Sequence, residues 1–210
     1  MLFGSDSAFL VEKKVKNAIY SQKGEGIESL KNIMLGINLI FAGFVLTLNG
    51  VGYFKKIDDK AKAVINLLVG VIIAINAVIQ VVFAMQVEYG AYLFFGFAAA
   101  GWLFAMNYFV LAAHILLKSE SWNGFGLYGL FASLVSVAFA VYTFVTANGN
   151  VHLILLGVLW VLWAILWAQT FASIFLGSKK IDKITPHTLI FMGIVSTFVP
   201  GILILTGVFL

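Results

Sequence analysis

Six stretches of this chain carry no lysine, aspartate or glutamate over most of their length: residues 33–54, 63–86, 90–117, 125–147, 152–177 and 187–209. Each is at or above the roughly 20 residues that a helix needs to cross a bilayer. Every charge lies ahead of the first stretch or in a short connector between two of them. A spanning helix satisfies its own backbone polar groups and tolerates side-chain charge poorly, so this distribution specifies a polytopic helical membrane protein. Composition agrees, with 62% hydrophobic and only 10% charged residues.

The connectors alternate in character. Phe54–Lys62, Lys118–Asn123 and Gly177–Thr185 hold eight of the thirteen lysines between them; Gln86–Gly90 and Ala147–Val151 hold none. Positive connectors stay on the cytoplasmic side, which puts both termini outside, although the polar tail carries the other five lysines. The net charge of +4 follows the connectors and gives no ground for nucleic-acid binding. Without cysteine there is neither a disulfide framework nor a thiolate metal site. The start lacks a basic segment before an apolar core, so no cleavable signal is expected.

The chain therefore divides into an N-terminal segment, 1–32, and a six-span domain, 33–210. The segment places Phe9, Leu10, Val15, Ala18 and Ile19 at helical spacing among lysines, which predicts an amphipathic helix at the membrane interface. Ser21–Gly26, with two glycines, is expected to break that helix. Each lysine-bearing connector joins two spans, giving three hairpins.

The fifth span is the most unusual. Trp160, Trp163 and Trp167 stand at i, i+3 and i+7, one face of a helix, with Leu156 and Phe171 extending the stripe. Membrane tryptophans ordinarily sit at the headgroup level. A column of three through the middle of a span means that something inside needs flat rings with a hydrogen-bond donor on the edge. Leu35, Leu39, Ala42, Leu46 and Asn49 form an apolar strip on the first span, where Gly36 and Gly43 permit close helix contact. Phe104 and Tyr108 make an aromatic pair on the third.

Catalytic constellations are missing: there is no G-x-S-x-G, P-loop, H-E-x-x-H or carboxylate pair. His114, His152 and His187 sit near different span ends without acidic neighbours at ligand spacing, and a structural or interfacial role is expected for them. No cofactor or metal is expected, and an enzyme is not. The intramembrane polar groups are neutral: Asn38, Asn49, Asn66, Asn76, Gln80, Asn107, Gln169, Thr170 and Ser173. Proton- or sodium-coupled transport would place ionisable groups there. A passive route for a small neutral solute needs none.

Met34-Leu35-Gly36 through Leu48-Asn49-Gly50, the lysine-rich turn and Ala63–Gly70 resemble the opening hairpin of the UreI/AmiS family of urea and short-chain amide channels. Trp160-x-x-Trp163-x-x-Leu166-Trp167-x-x-x-Phe171 is similar to that family's fifth helix. Gly101-x-x-Phe104-x-x-x-Tyr108 fits the third, Trp122 and Tyr128 the turn into the fourth, and Thr185-Pro186 with Pro200 the last. The resemblance covers residues 33–209. It implies an all-α fold of six helices around a narrow pore in each protomer, with protomers in a ring, usually a hexamer. It also implies Leu39, Leu46, Phe104, Tyr108, Trp160, Trp163, Leu166 and Trp167 as pore positions. Six residues after the Thr-Pro proline, where the family pattern has a glutamate, this chain has Met192.

The expectation is thus a passive inner-membrane channel whose partners are lipid, a small neutral amide and further copies of itself. Indole faces stack on a planar amide, and Trp N–H and Tyr O–H groups meet its oxygen. The external connectors offer only Glu88 and His152, so little acid gating is expected. Two alternatives stand beside it: a channel for water, ammonia or another small neutral molecule, and a membrane scaffold whose N-terminal tail recruits a partner.

Overall fold

A computed structural model describes residues 5–85 and 91–208, with side-chain surroundings given from residue 29 in the first helix and residue 95 in the third. All regular structure among the described residues is helical. The six helices are α1 (Ser5–Val51), α2 (Asp59–Ala84), α3 (Ala91–Leu116), α4 (Asn123–Thr146), α5 (Val151–Phe175) and α6 (Lys179–Leu205). Each contains a segment long and apolar enough to span a membrane.

Local chemistry sets several of the starts. Asp58 accepts the Ala61 N–H at 2.9 Å and caps α2. Asn150 caps α5 by accepting from His152 and Leu153 at 2.9 and 3.2 Å. Such caps replace intrahelical partners that the first turn lacks. Ser178 caps α6, so this helix begins at Lys179 and takes in most of the connector predicted before it. Pro186 consequently lies inside α6 rather than at its opening.

One expectation is revised. The segment Ser21–Gly26 does not interrupt the first helix, since α1 runs unbroken from Ser5 to Val51. A helical glycine costs only about 1 kcal/mol relative to alanine, and the flanking lysines, glutamates and glutamine are good helix formers. The amphipathic face of residues 9–19 lies outside the described side chains. Packing between spans does not follow the connectors. The spans joined by lysine-bearing connectors are not the tightly packed ones. The extensive interfaces are α2 with α3, α4 with α5, and α1 with α6, whereas α1/α2, α3/α4 and α5/α6 meet more sparingly.

Small residues explain which pairs close. A Cβ on Gly43 would lie 2.5 Å from the Gly193 carbonyl oxygen, and one on Gly193 would lie 2.8 Å from the Gly43 oxygen. One heptad away on either side, Gly36 faces Gly201 and Gly50 faces Pro186. The small-residue repeat anticipated at Gly36 and Gly43 therefore runs through Gly50, and it closes the first helix against the last. The lysine-side ends of the looser pairs leave space between them.

Two π-helical segments interrupt the α geometry, Phe171–Phe175 in α5 and Met192–Phe198 in α6. Such segments often mark functional positions in helices. In the second, Thr197 donates to the carbonyls of both Met192 and Gly193, at 3.0 and 2.6 Å.

Candidate functional site

The tryptophan stripe turns inward. Trp160, Trp163 and Trp167 are all buried, and they build an aromatic column with rings from α3 and α4. Trp160 stacks on Phe139 with centroids 4.7 Å apart and meets Trp163 edge-on at 4.8 Å. Phe104 stands edge-on to Trp163 at 5.2 Å and tilted against Trp167 at 5.9 Å. Tyr128 packs its edge on Trp167, also at 5.9 Å, and its hydroxyl donates to the Leu103 carbonyl. Edge-to-face arrangements of this kind add to burial and fix ring planes.

Of three cavities that touch this column, one of about 420 Å³ is bordered by Phe139, Tyr142, Leu156 and Trp160, and the other two share Phe104. The wider, about 650 Å³, reaches the lysine-bearing end of the bundle, where Asp59, Lys62, Lys118 and Asp182 border it. Its deeper walls are Leu46, Tyr108, Leu166 and Trp167. The narrower, about 40 Å³, is lined by Leu39, Trp160 and Trp163 together with Asn38 and Gln80. Phe104 belongs to both, so it marks the place where they meet. Eight of the nine residues expected on the pathway therefore line one cavity or the other. Met192 is the ninth. It is buried in a cluster with Leu46 and Leu166 rather than on either wall.

Hydrogen bonding divides the polar groups into those already used and those free to act. Asn49 and Asn66 exchange carboxamide bonds at 3.0 Å in both directions, and Asn76 donates to Asn38 at 2.7 Å. These pairs tie α1 to α2. Trp163 donates to Ser196 at 3.2 Å, so its indole edge is not available to a solute as expected. The Trp167 N–H and the Tyr108 hydroxyl have no partner although both are buried. An unsatisfied buried donor costs about 1–3 kcal/mol, and such a group calls for an occupant. Both line the wider cavity.

Several lining residues went unrecognised in the sequence. Leu111 and His114 continue the Phe104–Tyr108 face by helical steps, as Ile115 and Lys118 do beyond them. Extending that stripe by two turns would have found them. His114 hydrogen-bonds the Val110 carbonyl at 2.9 Å and lies 4.8 Å from the Trp122 ring, so its role is structural as well as lining. Asn38 falls on the first-span strip, one step before Leu39. Gln80 had no comparable signal. No group of acids and histidines that could hold a metal occurs among the described residues.

The description "AmiS/UreI family transporter" matches residues 34–208. The chain belongs to this family. A relative from Rhodococcus erythropolis, the transporter protein AmiS2, is 29% identical over 177 residues, which is 84% of this chain and 81% of that protein. The acid-activated urea channel of Helicobacter pylori (strain J99 / ATCC 700824) is 26% identical over 189 residues, covering 80% and 95%. The crystal structure of the Helicobacter pylori urea channel superposes with a TM-score of 0.73 at 26% identity, covering 84% of this chain and 99% of that one. AmiS/UreI proteins are transporters and channels rather than enzymes, and this chain is a six-span membrane protein of that kind.

Proposed function

We propose that this member of the AmiS/UreI family is a passive channel for small neutral amides in the bacterial cytoplasmic membrane. The observation that carries the proposal is the pair of unpartnered donors, Tyr108 O–H and Trp167 N–H, buried on the wall of one cavity. Both are neutral groups with a proton to donate, and a hydrogen-bond acceptor such as an oxygen would satisfy either of them. A carbonyl is the matching group. Leu46 and Leu166 give the same wall an apolar side that offers an ion nothing in exchange for its hydration shell.

Met192 favours short aliphatic amides over urea. Where the family pattern carries a glutamate, the thioether packs with Leu46 and Leu166 and offers no strong acceptor. Met192 acts from behind the wall, backing Leu46 and Leu166 so that the lining there stays wholly alkyl, and an alkyl group is better matched to that lining than a second amide nitrogen. The named relatives include a urea channel, so urea remains a solute that this architecture can pass. Assembly as a hexameric ring with both termini on the outer face completes the proposal, the orientation resting on the eight connector lysines.

Stopped-flow light scattering on proteoliposomes tests it. Urea, acetamide and glycerol gradients should give acetamide re-swelling well above empty liposomes, urea second and glycerol near background. Met192→Glu should move the ratio toward urea. Rates equal to empty liposomes for every solute would overturn the channel reading. Removal of residues 1–30 should leave transport intact, and loss of all activity with the tail would favour a recruiting scaffold instead.

A further inference from the structure

The narrow cavity contains an acceptor that no part of the packing uses. Gln80 on α2 is only 2% exposed, and its Oε1 is buried without a partner. Asn38 lines the same cavity with the other side-chain oxygen present there, but that oxygen already accepts from Asn76 at 2.7 Å. The remaining described walls near it are alkyl or aromatic. Gln169 Oε1 is also buried without a partner, but Gln169 lines neither cavity, so the unused acceptor on a cavity wall and the unused donors lie in different chambers. Gln80 is in the narrow one, Tyr108 and Trp167 are in the wide one, and Phe104 stands where the two meet.

We infer that Gln80 is a second solute station, one that recognises the amide N–H rather than the carbonyl. This inference rests on the amide-channel reading above and adds a selectivity element to it. An amide passing from the wide cavity presents its oxygen to Tyr108 and Trp167. Beyond Phe104 it must leave those donors, and the Gln80 oxygen compensates by accepting an N–H. A buried carboxamide oxygen without a partner is costly to keep, which is consistent with retention for an occupant. The narrow cavity, about 40 Å³, has room for about one water-sized group. It admits the N–H end of a flat solute and little more. The chain thus has an acceptor on the pathway in spite of Met192, supplied from α2 instead of α6.

The two stations count different atoms, which makes them separable. Urea, acetamide and N-methylformamide have the same number of heavy atoms and one carbonyl oxygen each, but they fall in that order in the number of N–H bonds. Gln80→Met keeps side-chain length and removes the acceptor. In proteoliposomes it should slow urea by about tenfold, acetamide by less, and N-methylformamide hardly at all, about one hydrogen bond at the upper end of the range. Trp167→Phe should slow all three alike. Gln80→Asn, which stays polar and withdraws the oxygen by one methylene, should show the same order with smaller losses, and it serves where the methionine variant does not fold. Equal losses for the three solutes, or none, in variants whose wild-type parent conducts would overturn the inference while leaving the channel reading in place. A wild-type protein that passes no solute would overturn the channel reading itself.

Discussion

Trp163 donates its indole N–H to the Ser196 hydroxyl at 3.2 Å, and Ser196 in turn donates to the Met192 backbone carbonyl at 2.7 Å. This relay fastens the middle of the tryptophan stripe to the first residue of the π segment in α6. Trp167, four residues on, has an indole N–H with no partner at all. Two neighbouring rings of one stripe are thus used in opposite ways. One holds two helices together, and the other leaves its donor unused beside the wide cavity.

The contrast predicts opposite phenotypes for the same substitution. Trp163→Phe breaks the relay and leaves Ser196 one partner short, costing about 1–2 kcal/mol. Trp167→Phe deletes a donor that was unsatisfied, so its cost is confined to lost ring contact. Melting in detergent should therefore fall more for Trp163→Phe. Acetamide flux per folded protein should fall severalfold for Trp167→Phe and change less for the other variant. The reverse ordering of either measurement would refute the division of roles.

Asn49 and Asn66 form a closed pair, each both donor and acceptor to the other at 3.0 Å. Replacing one with alanine removes both paired bonds and should cost about 1–3 kcal/mol, although Asn66 keeps its donation to the Lys62 carbonyl at 2.8 Å. Replacing both removes the need for the pair, so the double variant should be more stable than the sum of the singles by about 0.5–3 kcal/mol. Melting temperatures of the parent, both singles and the double in one detergent check this. Strict additivity would mean that the pair does not couple α1 to α2.

Acid should not switch the channel. Leu39, Leu46, Phe104, Trp160, Trp163, Leu166, Trp167 and Met192 have no group that ionises between about pH 5 and about pH 7.5. The ionisable residues near the pathway, Asp59, Lys62, His114, Lys118 and Asp182, border the wide mouth instead. Beside that mouth, burial and then the Asp182 charge push the Tyr53 phenol above its ordinary value, so it stays neutral over the range. Acetamide flux should be flat across that interval, and His114→Gln should leave the profile unchanged. A steep rise in flux at its acid end would contradict this.

Much of this arrangement was legible in the sequence, and the failures have physical reasons. Charge-free runs located six spans because the bilayer forbids charge within them, and helical spacing placed Trp160, Trp163 and Trp167 on one buried face. Spacing cannot say which donor on that face is occupied, since Ser196 lies on another helix. Gln80 was legible as an intramembrane amide but not as a cavity wall, for a related reason: among apolar neighbours, one amide reads equally well as a helix tie or as a solute contact. The uninterrupted α1 escapes a reading that weighs glycines as breakers without the good helix formers around them. Which helices pack tightly was not written in the connectors, because connectors govern sequence neighbours, whereas small residues govern which helices close.

That last point predicts a steep penalty at the α1/α6 interface. Gly43 and Gly193 meet so closely that a Cβ on Gly43 would lie 2.5 Å from the Gly193 oxygen and 2.6 Å from the Phe198 nitrogen. Both obstacles are backbone, so no side-chain rotation relieves the clash, and the helices must separate. Gly43→Ala should cost about 1–3 kcal/mol or more and displace the Leu39 and Leu46 walls on the same helix. Gly26 lies on the same helix, and a methyl group placed there would meet nothing within 4 Å. Gly26→Ala should therefore gain up to about 1 kcal/mol from helix propensity. Thermal melting and acetamide flux of the two variants separate the effects. Gly43→Ala should lose both stability and transport, whereas Gly26→Ala should lose neither. Equal behaviour would mean that the glycine heptad does not set the closure of the bundle.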